Sequence, residues 1–217
     1  DDEKWLSLRY DLTAPLARYV AQNYQNLVKP FKRYQSGLVW RNEKPGPGRY
    51  REFLQFDADV VGIDSALIDA ELCIMVCDIL TKLGLNTSQF EIKFSNREIW
   101  KNLFLTLKIE KDTETKILRA VDKKDRLGMS GVKELLQAGR KDTSGDYMDG
   151  VGLSDDVADK IISFMSDLNQ SNAQIEEFNS YISNFSSYPI KFDPSVVRGL
   201  DYYTGMIFEA ELLIDVT

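Results

Sequence analysis

The chain has 217 residues, 43% of them hydrophobic and 28% charged, with a net charge of −7, which suits one large globular domain or one domain carrying an insertion. It contains no histidine and only two cysteines; this excludes a Ser-His-Asp triad, a Cys-His pair and a histidine metal site, and leaves Arg, Lys, Asp, Glu, Tyr or a bound ion for any chemistry. No apolar run approaches the roughly 20 residues of a membrane span, and the acidic opening DDEKWLSLRY lacks a signal-peptide pattern.

Residues 5–10 predict a strand. DLTAPLARYVAQNYQNL (11–27) predicts a turn, an N-cap at Thr13, Pro15 in the first helical turn, and then an amphipathic helix. Residues 31–41 and 51–61 predict two strands joined through the Pro-Gly loop 44–48, a hairpin signal. Gly62 ends the second strand, and Asp64 or Ser65 caps a helix over 66–83. Apolar positions nearly surround that helix, so burial is expected all round. Cys73 and Cys77 lie on it at i, i+4; with no third ligand apparent, buried reduced thiols in a cytoplasmic protein are the expectation. Gly84 stops the helix, and FEIKF (90–94) predicts a strand. From Asn96 to Ser187 helical patterns dominate, over 97–107, 111–122, 131–138, 154–168 and 172–184, with 139–152 expected as an exposed loop. The sheet resumes near 189, and GMIFEAELLIDV (205–216) predicts a strand. The expected organisation is a mixed α+β core from 1–95 and 188–217, interrupted by a helical insertion over 96–187.

The charge is uneven. Lys29, Lys32, Arg33, Arg41, Lys44, Arg49 and Arg51 face one acid, Glu43, between residues 29 and 51. An acidic protein with one basic segment points to a local anion site rather than a wholly basic nucleic-acid binder. The strand that follows alternates. Leu54, Phe56, Ala58 and Val60 form an apolar face suited to packing on helices. Arg51, Phe53, Gln55, Asp57 and Asp59 form the other, which fits either a solvated antiparallel face or the floor of a site for a nucleotide and a cationic group. Arginine suits bidentate phosphate contacts.

RYQSGLVWRNEKPGPGRYREFLQFDADVVG (33–62) resembles the second signature motif of class II aminoacyl-tRNA synthetases, and in its details the histidyl-tRNA synthetase family. LRYDLTAPLARY (8–19) is similar to that family's amino-acid-binding strand and turn, and VRGLDYYTGMIFE (197–209) to its histidine-specific motif. LRAVDKKDRL and GLSDDVADKI resemble its insertion domain, so the likeness spans nearly the whole chain.

The resemblance implies an α+β fold, a class II antiparallel sheet flanked by helices. It implies ATP-dependent activation of histidine to histidyl-adenylate and transfer to the acceptor end of tRNA(His), with Mg2+ accompanying ATP. Carried over residue by residue, Arg41 matches the arginine on the α-phosphate and Glu43 the acid near the adenine and tRNA end. Arg49 matches the arginine on the outer phosphates, and Phe53 the ring stacking on adenine. Asp11, Thr13 and Gln55 match the groups holding the substrate α-ammonium; Asp59, Tyr202 and Tyr203 belong to histidine recognition; Arg198 matches the second arginine at the α-phosphate and substrate carboxylate. No metal ligand from the protein is assigned. Asp11 and Asp59 stand where many members have glutamate, and the loop reads KPGPGR in place of a glutamine-lysine version. No counterpart of the first motif, which builds a homodimer interface, or of the third motif and the anticodon-binding domain is found. A fragment of a longer enzyme, weak or inactive alone, is therefore expected. The rival readings are a synthetase-like regulatory subunit of ATP phosphoribosyltransferase and a plain nucleic-acid module using the basic hairpin. KILRAVDKKDR (116–126) fits a tRNA acceptor-stem contact or a solvated helix face.

Overall fold

A computed structural model describes residues 3, 5–46, 48–142, 145–197 and 204–215. Its contacts divide the chain into two units, Asp1–Ser65 and Ala66–Thr217.

The first unit holds helix α1 (Thr13–Asn23) and an antiparallel hairpin of β1 (Phe31–Trp40) and β2 (Glu52–Val61). Register runs from Phe31 opposite Val61 to Trp40 opposite Glu52, so the expected hairpin stands with a loop whose Gly46 and Arg49 exchange backbone hydrogen bonds of 3.1 and 2.9 Å. The strand expected over 5–10 is not there. The segment makes one strand-like contact, Trp40 N–H to the Arg9 carbonyl at 2.9 Å, and Trp5 and Leu6 are exposed. Nor does Thr13 cap α1. Asp11 does, its Oδ1 accepting from Ala14 N–H at 2.9 Å; a carboxylate reaching the third amide onward satisfies an orphan donor of the first turn.

The second unit opens with α2 (Ala66–Lys82). A mixed sheet follows in the order β6-β3-β7: β3 (Phe90–Asn96) lies at its centre, parallel to β6 (Ile190–Phe192) and antiparallel to β7 (Met206–Leu212). Between β3 and β6 come α3 (Arg97–Leu107), α4 (Lys111–Val121), α5 (Lys124–Leu136), β4 (Gly139–Lys141), β5 (Tyr147–Asp149), α6 (Asp155–Ser166) and α7 (Ala173–Ile182). The core is aromatic: Phe94 lies 4.6 Å from Phe178 and 5.5 Å from Phe192 between ring centroids, and Trp100 meets Phe164 edge-on at 4.9 Å. Such tilted and edge-on pairs suit the ring quadrupoles.

Three sequence expectations need correction here. The helix expected from 131 begins at Lys124 and kinks at Gly128 (φ 66°). The loop 139–152 contains the β4–β5 hairpin. At its open end the backbones approach closely: a Cβ on Gly150 would sit 2.1 Å from the Gln137 carbonyl oxygen, so only glycine fits. Helix α2 buries one face, through Ala66, Ala70, Cys73 and Cys77, while Leu67 and Ile79 stay exposed. Both cysteines are free and buried. Burial pushes both thiols up, Cys77 to about 11, which keeps them protonated and poorly nucleophilic at neutral pH.

Candidate active site

The hairpin register decides what faces what. Across the two strands Arg33 stands opposite Asp59, Gln35 opposite Asp57, Gly37 opposite Gln55 and Val39 opposite Phe53. These lie on one face of the ribbon, since side chains alternate. Residues 9–12 run against it: Leu12 is fully buried, and Arg9 Nε donates to the Leu38 carbonyl at 2.7 Å. The guanidinium lies directly over Gly37, where a Cβ would fall 2.5 Å from Arg9 Nη2 and push the arginine tip aside. The polar face is thus the half-buried one. Leu54 and Phe56, expected to pack on helices, are 68% and 57% exposed. The covering segment lies on the polar side, so the apolar side of the ribbon is left open.

Arg41 is the centre of the face. Its Nε donates to the Tyr10 carbonyl and its Nη2 to Gln55 Oε1, both at 3.3 Å. Its guanidinium carbon lies 4.6 Å from the Tyr10 ring centroid and 5.0 Å from that of Phe53, so the cation is held between two aromatic faces. Gln55 passes the chain on, Nε2 donating to Asp57 Oδ1 at 2.7 Å. Further along, Arg33 donates to Gln35 Oε1 at 2.8 Å and to the Leu12 carbonyl at 3.2 Å. Its Nη2 also lies 2.9 Å from Asp59 Oδ2, close but not aligned as a hydrogen bond. Burial pushes Asp59 above the ordinary aspartate value; Arg33 pulls it back, and the Asp57 charge adds to the rise.

Beside Arg41 opens a cleft of about 360 Å³ lined by Arg41, Glu43, Gly48, Arg49, Tyr50 and Phe53. Arg49 is exposed and 4.0 Å from Glu43. Arg51 is turned away, its Nε on the Glu43 carbonyl at 3.2 Å. Two guanidiniums and an aromatic face in one open cleft can take a planar ring attached to a polyanion. Among the described residues no three Asp, Glu or Cys side chains gather to hold a metal; Glu43 is the one acid lining the cleft.

The structure brings Arg41, Glu43, Arg49 and Phe53 together at the cleft and Gln55 beside Arg41. Asp59 stands at the far end of the same strand with Arg33. Asp11 spends one oxygen on the α1 cap, and Thr13 is exposed in its first turn. Arg198, Tyr202 and Tyr203 lie outside the described residues. Sequence reasoning gave no role to Tyr10, Tyr50 or Arg9, and counted Arg33 only among the basic residues of an anion site, not as the partner of Asp59. For Arg33 the signal was available: pairing two strands of equal length through their loop sets it opposite Asp59. For Arg9 the clue was an isolated glycine inside a strand pattern, which marks close approach of another group.

A family model described as histidyl-tRNA synthetase matches residues 1–211. The chain is 46% identical to a histidine–tRNA ligase of Bartonella bacilliformis, and 44% identical to one of Rhizobium rhizogenes. Each comparison takes in all of this chain, but 49% and 48% of those proteins. The chain therefore spans about half the length of the curated relatives it matches. Among solved structures, histidyl-tRNA synthetase from Nostoc sp. PCC 7120 superposes with a TM-score of 0.74 at 26% identity, over 94% of this chain and 49% of that one. A Bacillus halodurans protein described as an ATP phosphoribosyltransferase regulatory subunit/histidyl-tRNA synthetase gives a TM-score of 0.71 at 20% identity, over 94% and 54%; that likeness is one of fold.

Proposed function

The chain belongs to the histidyl-tRNA synthetase family, and from that premise we propose that it supplies part of the active site of a histidine–tRNA ligase. In this reading an oxygen of the histidine carboxylate attacks the α-phosphorus of ATP, the bond to the β-phosphate oxygen breaks, and pyrophosphate leaves. A ribose hydroxyl at the tRNA 3′ end then attacks the acyl carbon of histidyl-adenylate, the bond from that carbon to the phosphate oxygen breaks, AMP leaves, and the hydroxyl proton passes to solvent. The nucleophile of the first step is already an anion, so that step needs no histidine as general base. The work is positioning and neutralisation of charge.

The observation that carries the reading is Arg41, clamped between Tyr10 and Phe53 and hydrogen-bonded to Gln55 at the mouth of the cleft. A guanidinium held in advance loses little freedom when it meets the α-phosphate. Phe53 offers its ring to adenine, and Arg49, exposed on its loop, is placed for the outer phosphates; Glu43 stands near the adenine and tRNA end. Mg2+ enters as part of the nucleotide substrate, where it neutralises phosphate charge. Gln55, Asp11 and Thr13 are assigned to the α-ammonium, Asp59 and Tyr203 to the imidazole, and Tyr202 to the histidine site. Arg198 is assigned to the α-phosphate and substrate carboxylate. We further read residues 1–95 and 188–217 as catalytic core and 96–187 as a helical insertion, in a cytoplasmic homodimer.

Histidine-dependent ATP–pyrophosphate exchange by the full-length protein tests the reading. Exchange that needs histidine and is lost in Arg41→Ala supports it. Absence of exchange in the wild type, with histidine still bound, would favour the regulatory-subunit reading, whose fold is the same.

A further inference from the structure

Away from the hairpin, Lys124 of the basic stretch 116–126 is turned inward into a charged cluster with no part in the substrate roles assigned above. Lys124, at the first turn of α5, sends Nζ to Ser195 Oγ at 2.6 Å and to the Asp193 carboxylate at 3.1 and 3.5 Å. Asp193 Oδ1 also accepts from the Ser195 N–H at 2.8 Å and the Ser195 hydroxyl at 2.5 Å. Burial alone pushes the Asp193 carboxyl up, but Ser195 and Lys124 outweigh it and hold it below the ordinary value. The lysine and the acid are both mostly buried.

We propose that Lys124 is a positioning residue: its tie to Asp193 and Ser195 fixes the turn through which the chain runs into residues 198–209. This rests on the ligase reading, which assigns the substrate carboxylate and α-phosphate to Arg198. The turn at 193–197 is anchored from three sides. β3 holds it through Asp193 N–H to the Phe94 carbonyl at 2.9 Å. α3 holds it through Trp100 Nε1 to the Pro194 carbonyl at 2.8 Å. α5 holds it through Lys124. The next two residues, Val196 and Val197, are buried. Beyond 203 the chain is held again, Arg97 N–H donating to the Gly205 carbonyl at 2.9 Å.

The first two anchors join parts of the same packed core. Lys124 differs, because it is the one anchor made by a charged side chain and it comes from the helical segment outside all three motifs. A single ion pair of this kind adds little net stability, since desolvation offsets attraction. Its geometric content is larger: one ammonium with three donors fixes a hydroxyl and both carboxylate oxygens at once. The cluster also walls a cavity of about 130 Å³ that Val197 and Glu209 line together. The two ends of the histidine-motif stretch therefore border one space with Lys124.

The test uses the full-length protein with Lys124→Met, Lys124→Arg and Ser195→Ala. The expected result for Lys124→Met is a loss of kcat in pyrophosphate exchange of about 10- to 100-fold, the scale set by sub-ångström to ångström misplacement. KM for ATP should stay within about twofold, and Lys124→Arg should recover part of the rate; Lys124→Met leaves the Asp193 carboxylate without its cation and should lower the melting temperature, so rates are compared per folded molecule. Ser195→Ala should show a smaller loss of the same kind, and stands in if Lys124→Met does not fold. Hydrogen exchange by mass spectrometry on peptides spanning 194–205 supplies a readout independent of activity, with faster exchange expected in Lys124→Met. Unchanged kcat, or unchanged exchange in those peptides, overturns the proposal, as does a rate loss that only follows the folded fraction. If the wild type shows no histidine-dependent activity, the ligase reading falls while the hydrogen-exchange arm still decides the tie.

Discussion

The hairpin unit fully buries Leu12 and Val39 and leaves Tyr34, Leu54 and Phe56 in solvent, whereas the unit from Ala66 onward closes Trp100, Phe90, Phe94, Phe104 and Phe178 away completely or nearly so. The first unit orders itself with polar contacts: Arg41 to Gln55, Gln55 to Asp57, Arg33 to Gln35. The second orders itself with aromatic packing. The contrast teaches that the cleft side chains Arg41, Glu43, Arg49 and Phe53 are not set on a hydrophobic core of their own. They are set by a ribbon, a cap and a network of amides and guanidiniums. Substitutions should therefore separate: those in the aromatic core of the second unit should move stability, and those at the cleft of the first should move chemistry.

The largest expected effect is on stability. Trp100 is fully buried, packs on Phe104 and Phe164, and donates to the Pro194 carbonyl at 2.8 Å. Trp100→Ala should destabilise by about 3–5 kcal/mol, measured by urea unfolding. A loss under about 1.5 kcal/mol would mean that the aromatic core is less tightly packed than its ring distances imply. Next comes Arg41→Ala, which should slow adenylate formation by about 10²–10³ while changing unfolding free energy by less than about 1 kcal/mol. Pre-steady-state adenylate formation within about threefold of wild type would remove Arg41 from the chemistry.

How much of this contrast the sequence shows depends on the kind of contact. The hairpin was legible because its signals are local: two alternating runs and a Pro-Gly loop. Pairing then follows from chain connectivity. The aromatic sheet of the second unit was legible as strands near 90 and 206. The failures share a cause. Residues 5–10 read like a strand, but a strand needs a partner along its length, and among the described residues only Arg9 finds a backbone partner. Phe56 looks like a core residue by type, but burial depends on what lies opposite, and alternation does not say which face the rest of the chain covers. The β4–β5 ribbon was hidden because three-residue strands carry too little periodicity to stand out from a glycine- and aspartate-rich loop. The site was legible as a set of residue types; its wiring through Tyr10, Arg9 and Arg33 depends on contacts between residues up to 31 apart.

Two aspartates give the comparison a sign. Asp193, in the second unit, is held below the ordinary value by Ser195 and Lys124 against its burial. Its contribution to stability is present above the unfolded pKa and is lost as pH falls through the lowered folded one. Asp59, in the first unit, is pushed above it by burial, with Arg33 opposing. Its contribution is present below the unfolded pKa and is lost as pH rises through the raised folded one. Carboxyl carbon shifts followed by NMR should place the Asp59 midpoint above that of Asp193. The reverse order would show that Arg33 outweighs burial at Asp59, and the hairpin would then share the ion-pair logic of the second unit.

The smallest effect is expected on the outer face of the ribbon, and it discriminates between the two units most directly because the same residue type occurs on both sheets. Phe94 is 1% exposed and meets two other phenylalanine rings; Phe56 is 57% exposed and meets one ring, Tyr34, at 6.1 Å. Replacing a buried phenylalanine by a small residue removes transfer energy and leaves a cavity, so Phe94→Ala should cost about 3–5 kcal/mol. Phe56→Thr removes neither to the same degree. Threonine keeps the strand preference, the lost surface was already in water, and a solvent-exposed ring pair contributes near the lower end of roughly 0.5–1.5 kcal/mol. The expected cost in the 217-residue chain is below about 1 kcal/mol by urea unfolding, together with less self-association in sedimentation velocity, since an open apolar ribbon face invites contact. A Phe56→Thr cost equal to that of Phe94→Ala would mean that the outer face is covered in solution, and the polar network could no longer be credited with holding the hairpin alone.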